Sequence, residues 1–155
     1  MRLIAIGTRM PDWVDAAFEE YARRLRGSWE LKLTELAPAR RDPGSGQDAQ
    51  ARGAEAARIL ELLAPRDYVV ALDEHGSEPT TIELAGWLEE RRGGGQPLTF
   101  IIGGADGLDP AVLARAQYRW ALSRLTLPHA LARVVLAEQL YRASTVIGGH
   151  PYHRS

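Results

Sequence analysis

The sequence predicts an α/β fold, with residues 1–155 forming a single domain whose parallel-type sheet is flanked by helices. Three short apolar runs, at residues 3–6, 68–72 and 98–102, are typical of strands buried in a parallel sheet. Segments with apolar residues at helical spacing separate these runs, so strand and helix alternate along the chain. The chain contains no internal repeat and no linker long enough to divide it into two domains.

The first helix is predicted from its end signals. The first strand ends at Gly7, and Pro11 with Asp12 then favours a helix start. Proline suits the first helical position, and a carboxylate is stabilised by the positive end of the helix dipole. Apolar side chains recur at helical spacing after this point, and Gly27 is expected to end the run.

The remaining elements follow from the same two periodicities. Thr80 or Thr81 is expected to cap the third helix, and the glycines at 93–95 to end it. Pro128 is expected to preset the first turn of the closing helix, with Thr126 as a candidate cap. The predicted elements are a strand at 31–36, a loop at 38–46, a helix at 47–63, a strand at 68–72 with a polar turn at 73–77, a helix from 82 to about 92, a strand at 98–102, a helix starting at 109–110, a short strand at 120–122 and a helix at 131–147.

Composition limits the possible partners. The formal net charge is −1, so indiscriminate binding to nucleic acid is not expected, and we expect no DNA partner. Residues 96–155 are nevertheless locally basic, with six arginines against three acids, and could face an anionic partner. The sequence shows no signal peptide, no run approaching the roughly 20 apolar residues of a membrane span, and no cysteine. We therefore expect a cytoplasmic protein without a membrane partner, disulfides or thiol chemistry.

Three strand ends are candidates for a ligand site. In an open parallel sheet, ligands bind beyond the carboxyl ends of the strands. These ends lie at Leu72 with Asp73, at Gly103 with Gly104, and at residues 122–127. The two glycines either allow a cofactor to approach the backbone closely or simply make the turn.

The familiar nucleotide-phosphate motifs are absent. The sequence contains neither GxGxxG nor GxxxxGK[ST], and Asp106 in the glycine-rich turn would repel a pyrophosphate. The pattern favours a ligand held by backbone contacts to an adenine or an amino-acid moiety.

The closing helix carries features with simple structural interpretations. An apolar stripe on it is expected to form core or a dimer contact, and Glu138 with Arg142 has the favourable spacing of a helix-surface ion pair. His150 and His153 share HxxH spacing but have no third ligand nearby, so we expect no metal site. The stripe comprises Leu136, Leu140, Ala143 and Ile147.

Several motifs, in matching order and spacing, resemble those of the SPOUT methyltransferases, specifically a bacterial branch that modifies large-subunit ribosomal RNA. The glycine turn, the Leu-Thr-Leu-Pro-His loop and the Tyr-His-Arg segment are specific only in combination. The motifs are Ile-Gly-Thr at 6–8, Glu-Tyr-Ala-Arg-Arg-Leu at 20–25, Leu-Asp-Glu-His-Gly at 72–76, Phe-Ile-Ile-Gly-Gly-Ala-Asp-Gly-Leu at 100–108, Leu-Thr-Leu-Pro-His at 125–129 and Pro-Tyr-His-Arg at 151–154.

The resemblance implies a C-terminal trefoil knot (the SPOUT, or α/β-knot, fold), a homodimer and S-adenosylmethionine as cofactor. It also implies methylation of N3 of a pseudouridine in 23S rRNA on the assembled ribosome. The residues that match the family's cofactor-contacting positions are Leu72, Gly103, Gly104, Leu122, Ser123, Arg124, Leu125, Thr126 and Leu127.

The matching tail implies the catalytic residues. Tyr152, His153 and Arg154 match the family's tail, which resembles a lid over the site and could be shared between subunits. His153 is the candidate proton acceptor, because imidazole titrates near the working pH. Arg154 or Arg142 would stabilise charge on the flanking carbonyl oxygens, and His129 is the weaker candidate base.

Two alternatives remain open at this point. One is a non-enzymatic ribosome-binding dimer whose cofactor pocket is vestigial. The other is a SPOUT methyltransferase that acts on a different RNA base.

Overall fold

The computed structural model describes residues 1–40, 48–150 and 152. Within them, five strands alternate with five α-helices, and a short 3₁₀ turn follows the first helix. The strands are β1 (Arg2–Ile6), β2 (Lys32–Leu36), β3 (Tyr68–Ser77), β4 (Leu98–Ile102) and β5 (Tyr118–Trp120). The helices are α1 (Asp12–Ala22), α2 (Asp48–Glu61), α3 (Thr81–Arg92), α4 (Pro110–Arg115) and α5 (His129–Ile147), and the 3₁₀ turn is Gly27–Trp29.

The five strands form one parallel sheet in the order β2-β1-β4-β3-β5. Leu72 of β3 pairs with Ile102 of β4 on one side and with Trp120 of β5 on the other. The carboxyl ends of these three strands therefore meet at one edge, which is where the sequence places its ligand site. The predicted α/β fold class is confirmed.

Helices cover both faces of the sheet, as predicted. On one face α1 and α3 pack against α5, while α2 and α4 cover the other face. Leu136, Leu140 and Ala143 of α5 are fully buried, and Ile147 packs partly buried against the same core, so the apolar stripe of that helix is core. Burial of each leucine side chain contributes about 1.5–3 kcal/mol relative to exposure.

The predicted turn at 73–77 is wrong, because β3 continues to Ser77. A register shift between Leu72 and Ser77 lets Ser77 pair with Trp120 of β5. A Cβ at Gly76 would lie 2.7 Å from backbone atoms of Arg119, so this position permits the close strand approach. Polar side chains with a glycine suggested a turn, but pairing with β5 keeps the backbone extended. β5 spans Tyr118–Trp120 rather than the predicted 120–122, because Tyr118 and Trp120 pair with Val70 and Leu72 of β3.

The helix ends agree with the sequence in part. Thr80 caps α3 with a complete capping box, and Gly93 follows its last residue. α1 ends at Ala22, before the expected stop at Gly27, because the i→i+3 bond from Leu25 N–H to Ala22 C=O tightens the chain there. Thr126 does not cap α5: Pro128 holds that position, and the Thr126 hydroxyl donates to Glu74 instead.

Two of the predictions are not tested by the described residues. Of the predicted loop at 38–46, residues 41–46 lie outside the described residues. The knot stays a prediction of the family resemblance. Among the described residues, no helix combines the length and apolar character of a membrane span.

Candidate functional site

A cavity of about 510 Å³ opens at the carboxyl edge of the sheet. Its walls come from the ends of β3, β4 and β5, from the loops that follow β4 and β5, and from the first turns of α5. The volume is within the range of small-molecule sites. The lining residues are Leu72, Asp73, Glu74, Ile102, Gly103, Gly104, Ala105, Gly107, Leu108, Trp120, Leu122, Ser123, Leu125, Thr126, Leu127, Pro128, His129 and Ala132.

Eight of the nine residues predicted to contact a cofactor line this one cavity. They come from three segments that are far apart in sequence and adjacent only because three parallel strands end together. Arg124 is the exception: it is exposed and does not line the cavity, although its neighbours Ser123 and Leu125 do.

The turn after β4 forms one wall and depends on a glycine. A Cβ at Gly103 would lie 2.7 Å from the backbone carbon and oxygen of Gly107. Gly107 also donates its N–H to the Gly104 carbonyl, at 3.1 Å, and has a positive φ of 75°. The close approach that requires Gly103 is therefore made by its own loop, which keeps the cavity wall tightly folded.

The loop after β5 forms the opposite wall and is tied to β3. The Thr126 hydroxyl donates to Glu74 Oε2 at 3.0 Å, and the Leu125 N–H donates to Ser123 Oγ at 3.0 Å. Leu125 is 75% exposed although it lines the cavity. An apolar side chain this exposed at a cavity mouth is available to a ligand or to a partner molecule.

The charges on the cavity lining are carboxylates. Asp73 and Glu74 line it, and no lysine or arginine does so among the described residues. The Asp73 side chain is 14% exposed, and its Oδ1 accepts the N–H of His75 at 3.2 Å. The His75 ring nitrogen Nδ1 lies 3.4 Å from the same oxygen, on a side chain that is 81% exposed.

A buried arginine, which follows the cavity residue Ala132, ties α5 to the sheet. Arg133 is 1% exposed and pairs with Glu35 of β2 at 2.5 Å. Its Nη2 donates to the carbonyls of Ile6 at 3.1 Å and Gly7 at 2.7 Å. One side chain of α5 thus holds the carboxyl ends of β1 and β2, and it fixes the first turns of α5 against the sheet.

His129 lies one helical turn before Arg133 and faces the cavity. Burial, with the nearby Arg133 guanidinium adding to it, lowers the pKa of His129 below its ordinary value. Its imidazole is therefore neutral at pH 7, and a neutral ring can accept a hydrogen bond in the cavity.

The tail residue Tyr152 lies at the other end of α5. Its ring contacts Tyr141 at 4.8 Å between centroids and lies beneath the Arg142 guanidinium, at 4.9 Å. Burial, followed by a hydrogen bond with Tyr21, raises the pKa of Tyr152. Since α5 rises 1.5 Å per residue, Arg142 is about 20 Å along the axis from His129. Tyr152 and Arg142 therefore do not line the cavity of their own chain.

Three further predictions concern the end of α5 and the tail: an ion pair, two catalytic residues and the absence of a metal site. The ion pair between Arg142 and Glu138 is confirmed, at 2.8 Å. His153 and Arg154 lie outside the described residues. Across the described ranges, 1–40, 48–150 and 152, no group of three or more His, Cys, Asp or Glu side chains could hold a metal ion.

Sequence reasoning passed over two side chains of this region, Glu74 and Arg133. Glu74 directly follows the strand end at Leu72 and Asp73, so the rule that selected those two residues could have extended to it. Arg133 could have been noticed as a charge within the apolar face of α5, one turn after His129. Its partner Glu35 could not have been identified from spacing, because 98 residues separate the two.

Comparison with known proteins supports one family over the whole described chain. A family model described as "Predicted SPOUT methyltransferase" matches residues 1–153. The chain is 56% identical over 154 residues to ribosomal RNA large subunit methyltransferase H of Thiobacillus denitrificans, covering 99% of this chain and 98% of that one. It is 48% identical over 157 residues to the protein of the same name from Bordetella pertussis, covering 100% of both.

Solved structures share the fold at much lower identity. The chain aligns with TrmJ from Z. mobilis ZM4 with a TM-score of 0.56 and 16% identity, covering 93% of this chain and 70% of that one. It aligns with a probable methylase family protein from Haemophilus influenzae with a TM-score of 0.54 and 15% identity, covering 97% and 69%. At these identities the likeness concerns the fold alone.

Proposed function

Since this chain belongs to the SPOUT methyltransferase family, we propose that it transfers a methyl group from S-adenosylmethionine to N3 of a pseudouridine in 23S rRNA. The observation that carries the proposal is the cavity at the carboxyl edge of the sheet, which is lined by eight of the nine predicted cofactor residues. The RNA target rests on the relatives, which are named as methyltransferases of large-subunit ribosomal RNA.

The cavity fits S-adenosylmethionine in size and chemistry. Leu72, Leu122 and Leu127 offer apolar walls for an adenine ring, and the turn at Gly103 offers backbone groups for polar atoms. The lining carboxylates suit a ligand with a positive charge. When bound, this cofactor supplies an electrophilic methyl group on a sulfonium centre.

The protein's part in the reaction is positioning and proton removal. N3 of pseudouridine is an imide nitrogen, and its proton must leave before its lone pair can attack a methyl group. We assign His153 as the proton acceptor and Arg154 as the group that stabilises charge on the flanking carbonyl oxygens. The Arg142 guanidinium pairs with Glu138 and covers the Tyr152 ring, so we assign it to holding the tail.

We infer that the tail completes the site of a partner subunit in a homodimer. Tyr152 packs on Tyr141 and Arg142, and Arg142 lies about 15 Å along α5 from Ala132, the last residue of this helix that lines the cavity. Exposed apolar side chains also occur at the carboxyl edge, where α1 and α3 begin: Trp13 is 58% exposed, Ile82 64% and Leu125 75%. Large apolar side chains left exposed at one edge favour a protein partner there.

The shared site can be tested by mixing two defective chains in one dimer. Ser123→Trp fills the cavity from a loop position, and His153→Ala removes the proton acceptor. With differently tagged copies co-expressed, a mixed dimer has one intact cavity facing one intact tail only if the tail crosses to the partner. Recovery of activity in the mixed dimer supports the shared site. No recovery, with both parents folded and dimeric, contradicts it.

The role of His153 has its own prediction. His153→Ala lowers turnover by about 10²-fold or more, because a general base is lost, while the affinity for S-adenosylmethionine stays nearly unchanged. Single-turnover methylation and calorimetric titration measure the two quantities. An equal loss of cofactor affinity would contradict the assignment.

The proposed setting is the assembled ribosome in the cytoplasm. A chain with a net charge of −1 and a basic C-terminal part fits recognition of a folded RNA surface, where shape and unpaired loops dominate. Comparing naked 23S rRNA, free large subunits and whole ribosomes as methyl acceptors tests this setting. Preference for naked rRNA would overturn it.

A further inference from the structure

The acidic side chains that line the cavity favour a ligand that carries a positive charge. Asp73 and Glu74 supply two carboxylates to the lining, and the described lining residues include no lysine or arginine. His129 also lines the cavity, but burial lowers the pKa of its imidazole, which disfavours a compensating positive charge there. Arg124 is exposed in the neighbouring loop but does not line the cavity.

The two carboxylates differ in their surroundings. Glu74 is exposed and accepts a hydrogen bond from the Thr126 hydroxyl, so its main role is to hold the loop that follows β5. Asp73 is 14% exposed, and the two groups found against it are the N–H and the ring nitrogen of His75. Lower exposure strengthens the field of a charge in the cavity, since less water screens it.

We propose that Asp73 is a specificity-determining residue that favours the positively charged S-adenosylmethionine over its neutral-sulfur product, S-adenosylhomocysteine. This inference rests on the function proposed above. The two molecules share the adenosine and amino-acid moieties and differ by the methyl group and the sulfonium charge. The proposal places the sulfonium beside Asp73, where the carboxylate attracts the substrate form more than the product form.

The proposal gives the cavity a role in turnover. When the methyl carbon bonds to N3, the carbon–sulfur electron pair stays on sulfur, which becomes a neutral thioether. The proton lost from N3 resides on the acceptor base. Asp73 then has no sulfonium charge to attract, so the product is held less tightly and leaves the cavity for a new cofactor molecule.

The test compares the binding of both ligands to the full-length dimeric protein without RNA. Asp73→Asn keeps the shape of the side chain and an oxygen to accept the His75 N–H, but removes the charge. We expect the Kd for S-adenosylmethionine to rise about tenfold, and the Kd for S-adenosylhomocysteine to change by less than about threefold. Isothermal titration calorimetry measures both Kd values. In the wild-type protein, higher salt should reduce the ratio between the two Kd values, because it screens the charge of Asp73.

Controls separate the possible outcomes. Glu78→Gln removes an exposed carboxylate that does not line the cavity and should leave both affinities unchanged. Equal weakening of both ligands by Asp73→Asn would place Asp73 against a shared moiety, such as the ribose or the ammonium group, and would overturn the proposal. Unchanged binding of both would also overturn it. If the wild-type protein binds neither ligand, the proposed function fails first, and that result is distinct from the other two.

Discussion

Gly103→Ala tests the turn that forms one wall of the cavity. The added Cβ would lie 2.7 Å from the backbone carbon and oxygen of Gly107, whereas carbon contacts are optimal at about 3.5–4.0 Å. Backbone atoms cannot rotate away as a side chain can, so the loop must shift by nearly 1 Å or more. Overpacking of this kind costs about 1–3 kcal/mol, which corresponds to a Tm lower by about 2–12 °C in a chain of this size.

The same shift moves the cavity wall, so ligand affinity should fall with stability. Differential scanning calorimetry gives the Tm, and titration with S-adenosylmethionine gives the affinity. The matched control is Gly53→Ala, because Gly53 lies within α2 and a Cβ there meets nothing within 4 Å. It should raise stability by about 0.5–1 kcal/mol and leave binding unchanged. A Gly103→Ala protein with wild-type Tm and affinity would refute the reasoning.

Two further predictions concern Arg133 and His129, which lie one helical turn apart at the start of α5. Glu35→Gln leaves the buried Arg133 cation without its carboxylate, so the free energy of unfolding, measured in urea, should fall by about 3 kcal/mol. A loss under about 0.5 kcal/mol would contradict this. The pKa of His129 is lower in the folded chain than the ordinary 6.5, so the unfolded chain binds more protons. Wild-type stability should therefore drop as pH falls below about 6.5, relative to His129→Gln, and parallel stability–pH curves would show that His129 is not responsible.

Local rules predicted the sheet well. The runs at 68–72 and 98–102 are apolar enough to require burial on both faces, and the amphipathic segments between them must cover those faces. The cavity followed from the same reasoning, because parallel strands bring Leu72, Gly103 and Leu122 to one edge wherever they lie in the sequence.

Long-range pairing decided what local rules could not predict. The segment 73–77 has the composition of a turn, and only the register with Trp120 keeps it extended. Arg133 is a surface residue by type, but hydrogen bonds from its two Nη atoms to two carbonyls and to Glu35 hold it inside the protein. The knot and the catalytic tail rest on the family resemblance, since no periodicity encodes threading of the chain or the site of a partner subunit.

The most direct test of the central claim is methyl transfer itself. Purified protein is incubated with S-adenosylmethionine carrying an isotopically labelled methyl group and with ribosomes from cells that lack this activity, and the 23S rRNA is digested and analysed by mass spectrometry. We predict one labelled nucleotide, an N3-methylated pseudouridine, formed by the wild-type protein and strongly reduced with His153→Ala. Label on another base would show that the protein is a SPOUT methyltransferase with a different RNA target. Cofactor binding without any labelled RNA would contradict the enzyme assignment and favour a ribosome-binding dimer.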